Sequence, residues 1–344
     1  NIPDCECLQK LKACKRQQRG EEMEDKGTVC VTGGNGYLAS WLIMRLLQRG
    51  YSVRATVRSG KDITFLTSLP GASQSLKIFN ADLDKPETFD AVIEGCIGVF
   101  HLAHPMQISG GEVNEKLNET AISGTLGVLK SCLKSKTVKR VVYTSSSTTV
   151  AWNEESDDAI LDENTWSNVD FIRASKISGT PYFVSKIVTE RAVLEFAKNH
   201  RLHLVSVITP LVVGPFLTPN IPGSVSYALA MIFGINEAYE FLLRTTVVHV
   251  DDMANAHIHL FEHSDAEGRY ICSSHDMTIQ WLSEFLMTKH PELKISSLFL
   301  KDGKGYKQKR LSSKKLLDSG FKFNHGIDEM LEEAIRCCKD KGFI

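Results

Sequence analysis

Residues 28–41 read T-V-C-V-T-G-G-N-G-Y-L-A-S-W, and no other run constrains the fold of this chain as tightly. Val29–Thr32 makes a short buried strand. A glycine turn follows, then a helix over Leu38–Gln48 that Gly50 closes after Arg49. In Gly33-x-x-Gly36-x-x-Ala39, Gly33 permits the tight turn out of the strand. Gly36 lets the backbone approach a pyrophosphate resting on the helix N-terminus. Ala39 stands where a third glycine would allow close helix–strand packing, and a methyl is tolerated there.

The same alternation continues down the chain. Ser52–Val57, Leu76–Phe79, Gly98–Leu102, Arg140–Thr144 and Leu204–Ile208 read as strands, with helices near Glu87–Ile93 and over Ala121–Ser135. Strands rich in Val and Ile, separated by helices, predict an α/β fold: a Rossmann-type doubly wound parallel sheet with helices on both faces. Ligands of such sheets bind at the carboxyl ends of the strands. Regularity fails over 150–180, 209–247 and 274–325, where proline, glycine and mixed aromatic residues accumulate. These segments are expected to build a smaller C-terminal substrate-binding lobe over the sheet. The expected division is a disordered extension over 1–26, a Rossmann domain mainly over 27–210 and a substrate lobe mainly over 211–344. Residues 247–273 are expected to return to the Rossmann domain. Residues 1–22 hold Lys10, Lys12, Lys15, Arg16 and Arg19, and Met23 reads as a natural start, which would leave 1–22 outside the functional fold.

Charge excludes some classes of partner. Lys+Arg number 40 against Asp+Glu 41, so neither nucleic acid nor an anionic membrane surface is an expected partner. No apolar stretch approaches the roughly 20 residues of a membrane span, and residues 1–26 lack the hydrophobic core of a secretory signal. Nine cysteines, at 5, 7, 14, 30, 96, 132, 272, 337 and 338, are odd in number and lack the paired spacing of a zinc site. Buried free thiols of a reducing compartment are expected. A cytoplasmic monomer acting on a small molecule fits these features.

The chemistry sits in two places. Tyr182 and Lys186 in Y-F-V-S-K lie one helical turn apart on a single face, with Thr180 as the expected N-cap and Pro181 in the first turn. A free phenol titrates near 10, and a nearby ammonium is expected to lower it so that protons move near neutrality. Ser145, Ser146 and Ser147 follow the Arg140–Thr144 strand, where a hydroxyl could hold the substrate oxygen. At the other end, the second strand closes in Arg54-Ala-Thr-Val-Arg58, with Lys61 nearby and no carboxylate at the strand end. A guanidinium there suits a 2′-phosphate, so NADP(H) is expected rather than NAD(H). Asp82 is placed to accept from an adenine amino group, with Leu83 beside it. Tyr37 and Leu38 in the glycine turn, and Leu102, Ala103 and His104 after the fourth strand, are also expected at the cofactor. His101, His249, His257 and His259 are not spaced as metal ligands. No G-x-S-x-G elbow supports a hydrolase.

These residues resemble the extended short-chain dehydrogenase/reductase superfamily and, within it, the plant dihydroflavonol reductase-like group. The stretches V-T-G-G-N-G-Y-L-A-S-W, K-T-V-K-R-V-V-Y-T-S-S, Y-F-V-S-K, L-V-V-G-P-F and V-H-V-D-D-M-A-N-A-H carry the resemblance, which runs from about residue 27 to the C-terminus. It implies Ser146, Tyr182 and Lys186 as the catalytic set, Arg58 and Lys61 at the 2′-phosphate, Asp82 and Leu83 at the adenine, and Pro210 and Val213 at the nicotinamide. It further implies NADPH-dependent reduction of a bulky aromatic ketone or aldehyde of flavonoid or related type. Two positions depart from the group. Ala121 begins the run that many members open with an active-site Asn. Ala151 stands where dihydroflavonol reductases carry an Asn that grips the flavonoid ring, which favours a less hydroxylated aryl ketone. Trp152, Trp166, Phe171, Phe216, Tyr227 and Phe233 are candidate pocket aromatics. Alternatives within the same fold are an NAD-dependent alcohol or hemiacetal dehydrogenase, an epimerase or dehydratase with tightly held NAD, and a non-catalytic cofactor sensor.

Overall fold

The computed structural model describes residues 25–105, 115–156, 159–175, 179–295 and 308–344. The expected extension up to residue 24, with Cys5, Cys7, Cys14 and Met23, lies outside these residues. So do 157–158, 176–178 and 296–307 of the irregular segments. Asp25 and Lys26 are described, and Lys26 is tied to the body: its N–H donates to Gly50 O at 3.3 Å and its ammonium meets Glu262 at 3.1 Å.

β1 (Thr28–Thr32) is an inner strand of the main sheet. Its Val29, Cys30 and Val31 are wholly buried because neighbouring strands and helices cover both faces, which is why it reads as a continuous apolar run. Helix α1 (Tyr37–Gln48) follows the glycine turn, then β2 (Ser52–Val57), β3 (Leu76–Asn80), β4 (Gly98–His101), helix α2 (Glu115–Ser135) and β5 (Arg140–Thr144). Helix α3 (Thr180–His200) leads into β6 (Leu204–Ile208). Together with β9 (Gly268–Ile271) these strands form a seven-stranded parallel sheet in the order β9-β6-β5-β4-β1-β2-β3. The chain runs outward from β1 to β3, then restarts at β4 and runs the other way. The crevice for a ligand opens at that reversal, outside the carboxyl ends of β1 and β4.

The edge strand β9 is not apparent in the sequence. It has four residues, carries Arg269 and Tyr270, and shows neither alternation nor an apolar run. Helix α2 begins six residues before the expected Ala121, because Glu-Lys-Leu-Asn-Glu-Thr carries no clear apolar stripe. Over Glu87–Ile93 a 3₁₀ turn (Pro86–Phe89) precedes a single α-turn (Asp90–Ile93).

The second lobe has its own small sheet. β7 (Leu211–Val213) pairs in parallel with β8 (Thr245–His249), and β10 (His275–Met277) pairs antiparallel to β8. Helix α4 (Val250–Glu262) then crosses back to lie on α1, where Trp41 Nε1 donates to Asp251 at 2.7 Å and Arg45 pairs with the same carboxylate. The α4 N-cap is His249, whose Nδ1 accepts from Asp251 N at 3.1 Å; Asp251 and Asp252 occupy the first turn. Phe216, Leu229, Leu242, Leu286 and Leu331 form a separate apolar core beneath this lobe.

Candidate active site

The glycine turn is closed by β2. Gly33 N donates to Thr56 Oγ1 at 3.2 Å and Gly34 N to Thr56 O at 2.7 Å. Gly33 has φ +68°, and a Cβ there would lie 3.1 Å from Ala103 Cα, so both backbone conformation and the approach of the loop after β4 require glycine. Thr32 fastens that loop. Its Oγ1 accepts from Leu102 N and Ala103 N, each at 3.0 Å, and therefore gives its own proton to His101 Nδ1 at 2.9 Å. His101 Nε2 is then the donor to Thr125 Oγ1 at 3.2 Å. Burial holds His101 down at about 3, so it is a neutral structural residue.

Two groups that could compete at the end of β2 are already engaged. The Arg54 guanidinium donates to the carbonyls of Val92 and Glu94, at 3.1 and 2.6 Å. Asp62 accepts from Thr64 N and Thr64 Oγ1, at 2.9 and 2.7 Å. Arg58 remains exposed at the cleft wall. Lys61 is exposed and lies outside the cleft lining. Asp82 and Leu83 line the cleft, and α2 comes close to their loop because it carries Gly124, where a Cβ would lie 2.7 Å from Leu83 Cβ.

Ser146, just past β5, caps a short 3₁₀ turn and accepts from Thr148 N at 3.3 Å. Across the cleft, α3 opens at Gly179, whose φ of +89° only glycine adopts readily; Thr180 is the buried first helical residue rather than the expected cap. Tyr182 and Lys186 share the α3 face toward Ser146. Lys186 Nζ donates to Thr144 O at 3.0 Å and lies 6.0 Å from the Tyr182 ring centroid. Burial pushes the Tyr182 phenol up to about 12, opposed by its hydrogen bond with Ser146. Burial also pulls Lys186 down to about 8, opposed by the Glu190 carboxylate. The phenol is therefore raised rather than lowered: burial is the larger cause, and the group that opposes it is Ser146, not the expected Lys186. At neutral pH Tyr182 keeps its proton and Lys186 is mostly charged. His104 meets Tyr182 edge-on at 5.7 Å and bonds Ser185 Oγ through Nε2 at 3.3 Å. Its buried Nδ1 has no hydrogen-bond partner among the described residues.

A single cleft of about 630 Å³ connects these parts, within the size range of small-molecule sites. Gly33, Gly36, Tyr37, Leu38, Arg58, Asp82, Leu83, Leu102, Ala103, His104, Ser146, Tyr182, Lys186 and Pro210 all line it. Val213 does not. Leu211 and Val212 line the cleft, while Val213 is wholly buried in the second core. Tyr37 also joins the lobes, its hydroxyl donating to Gly214 O at 3.1 Å.

The substrate end corrects the sequence reading in two respects. Ala151 is wholly buried in an apolar cluster with Ile172, Val184 and Ile187 and is absent from the cleft wall, so its side chain says nothing direct about substrate hydroxyls. Of the six candidate aromatics, Trp152 and Tyr227 line the cleft. Trp166 stacks under Arg269 at 3.8 Å, Phe171 packs in the Ala151 cluster, and Phe216 and Phe233 pack in the second core. Phe183, Thr245 and Gln308 line the cleft without having been foreseen. Phe183 adjoins Tyr182 and was legible by that position; Gln308 sits in an irregular segment with no periodic signal. Among the described residues, no group of His, Cys, Asp or Glu could hold a metal ion. Cys30, Cys96, Cys132, Cys272, Cys337 and Cys338 are free and buried.

A doubly wound parallel sheet with a glycine turn at its switch point, and a Ser–Tyr–Lys set facing that turn, defines a Rossmann-type protein of the dehydrogenase/reductase kind. The chain belongs to the NAD dependent epimerase/dehydratase family, whose model matches residues 29–272. Vestitone reductase of Medicago sativa is 46% identical, across 93% of this chain and 99% of that one. Noscapine synthase of Papaver somniferum is 48% identical, across 96% and 98%. A dihydroflavonol 4-reductase of Arabidopsis thaliana is 44% identical, across 94% and 85%. The crystal structure of vestitone reductase superposes with a TM-score of 0.83, covering 93% of this chain and all of that one. The NADPH complex of yeast methylglyoxal/isovaleraldehyde reductase Gre2, 25% identical, gives 0.76 over 92% of this chain and 100% of that one.

Proposed function

We propose that this chain is an NADPH-dependent reductase of a bulky aromatic ketone or aldehyde, of flavonoid, isoflavonoid or related plant type. The observation that carries the reading is that Ser146, Tyr182 and Lys186 share one cleft with the Gly33–Gly36 turn and with Arg58. The residues fit the cofactor. A Cβ on Gly33 would crowd Ala103, and a Cβ on Gly36 would lie 3.2 Å from Gly33 O, so the turn presents bare backbone at the N-terminus of α1. Arg58 has the charge and fork for a 2′-phosphate, and Asp62 accepts from Thr64 through one oxygen and lies outside the cleft lining. NADPH, when bound, supplies the hydride that goes to the carbonyl carbon.

Each residue of the chain then has a defined task. The Ser146 hydroxyl holds the substrate oxygen. The Tyr182 phenol gives that oxygen its proton as negative charge develops on it. Lys186 places its ammonium behind the phenol and stabilises the phenolate left after transfer. Trp152, Phe183 and Tyr227 offer aromatic surface to the rings. The experiment is nicotinamide absorbance loss with NADPH and with NADH, over a panel of isoflavanones, dihydroflavonols and simpler aryl ketones. No oxidation of NADPH with any of them would sink the reading. The 48% identity to noscapine synthase favours one second reading, oxidation of an alcohol or hemiacetal with NAD. Because the same residues serve both directions, assay of the alcohols with NAD and NADP decides between them.

A further inference from the structure

Gln308 enters the cleft from the second lobe, and its position is held from several sides. Its N–H donates to Arg244 O at 2.8 Å, and its own carbonyl accepts from Arg244 Nε at 2.8 Å. Lys309, the next residue, is buried and donates to Asn153 O at 3.0 Å. Arg310–Leu311 then pairs in parallel with Ile160–Leu161. The backbone carrying Gln308 is thereby fastened to β8 on one side and to the 150–161 segment on the other.

The side chain is fixed as well. Its Oε1 accepts from Thr245 Oγ1 at 2.9 Å and from Thr246 N at 3.2 Å. A backbone N–H can only donate, so the atom facing Thr246 is the amide oxygen and the NH₂ group is the other terminus. That NH₂ group has no protein partner among the described residues, and Gln308 lines the cleft. The hydroxyl proton of Thr245 is already spent on Gln308. The same cleft is also lined by Trp152, Phe183, Tyr227 and Leu242, which give it aromatic and aliphatic surface. An immobilised donor in a largely apolar wall loses little entropy when it bonds a ligand, and it discriminates against a ligand that brings no acceptor.

We propose that the Gln308 amide recognises an oxygen acceptor that the substrate carries away from its reacting carbonyl: a methoxy, ring-ether or second carbonyl oxygen on an aromatic ketone. The proposal rests on the reductase reading above and specifies the far end of the same site. It also replaces Ala151 as the residue from which ring substitution is argued.

The test uses the full chain, NADPH, unsubstituted isoflavanone and its singly methoxylated pendant-ring isomers. The variant is Gln308→Glu. It keeps an oxygen toward Thr245 and Thr246 but presents an acceptor where the amide presented donors. The wild type should favour at least one methoxylated isomer by roughly 3–10-fold in kcat/KM, the scale of one neutral hydrogen bond. Gln308→Glu should abolish that preference, bringing the ratio of kcat/KM between the methoxylated and unsubstituted compounds to about 1 by a larger loss on the methoxylated one. A preference that survives in the variant, an equal loss on the unsubstituted compound, or no preference in the wild type would overturn the proposal. Absence of turnover with every compound would count against the reductase reading instead. Binding of the same compounds, followed by isothermal titration calorimetry, would still decide the role of Gln308 by the same comparison.

Discussion

Arg269 on β9 grips Glu190 on α3 from inside the protein, Nε to Oε1 at 3.2 Å and a second guanidinium nitrogen to Oε2 at 3.3 Å, with Trp166 stacked on the guanidinium at 3.8 Å. Glu190 also accepts from Ser206 on β6. The same Arg269 donates to Thr149 Oγ1 at 3.0 Å, and Thr149 Oγ1 donates to the Ser146 carbonyl at 2.9 Å. One buried cation therefore links the turn holding Ser146 to the helix holding Tyr182 and Lys186. Arg269→Met should strand the Glu190 carboxylate and destabilise the fold by about 3–5 kcal/mol, the usual cost of removing one partner of a buried pair. Denaturant unfolding measures it, and adding Glu190→Gln should recover part of the loss.

The ionisation of Lys186 sets an expectation for pH dependence. Burial brings it down to about 8, so its ammonium is lost as pH rises through that value, while Tyr182 at about 12 remains protonated. Reduction should therefore decline on an alkaline limb near 8. Glu190 opposes the effect of burial, so Glu190→Gln should move the limb to lower pH. The stability sign follows as well. The unfolded chain keeps the lysine proton to about 10.4, so between about 8 and that value it binds more protons than the folded one, and stability contributed by this group rises with pH. A pH–rate profile checks the assignment: a limb unmoved by Glu190→Gln would remove Lys186 as its origin.

Tyr182→Phe should cut turnover by roughly 10²–10⁴-fold, the usual share of general acid–base catalysis, with NADPH affinity retained. Lys186→Ala should reduce turnover and cofactor binding together. Steady-state rates and cofactor fluorescence titration separate the two. Near-normal turnover in Tyr182→Phe would exclude this phenol as the proton donor.

Arg58→Ala should weaken NADPH by about 1.5–3 kcal/mol, the range for a hydrogen bond to a charged group, and leave NADH nearly unchanged. Arg54→Ala offers the contrast. Its guanidinium is occupied by the Val92 and Glu94 carbonyls, so its loss should lower stability without changing the preference between cofactors. Equal weakening of NADPH and NADH by Arg58→Ala would defeat the 2′-phosphate assignment.

What the sequence determined by itself is local. β1, β2, β5 and the turn at Gly33 were legible because period, apolar runs and glycine spacing are properties of a few adjacent residues. Tyr182 and Lys186 could be paired because one helical turn fixes their shared face; position narrowed the serine to Ser145, Ser146 or Ser147 after the strand, and the family resemblance singled out Ser146. Tertiary structure decided whatever depended on partners far along the chain. β9 exists as a strand because β6 accepts it at the sheet edge and Arg269 finds Glu190 beneath, neither of which its four residues announce. Arg58 lines the cleft while Arg54, four residues earlier, is held by the Glu94 carbonyl and lies outside the lining. Val212 rather than Val213, and Trp152 rather than Ala151, reach the cleft because packing of the second core and of the Ile172 cluster sets which way each segment turns. Gln308 became part of the site through contacts 62 and 63 residues back in the chain, and burial rather than the neighbouring ammonium decided the ionisation of Tyr182. Patterning records the bonds a segment makes with itself; orientation and electrostatics come from segments that meet only in the folded protein.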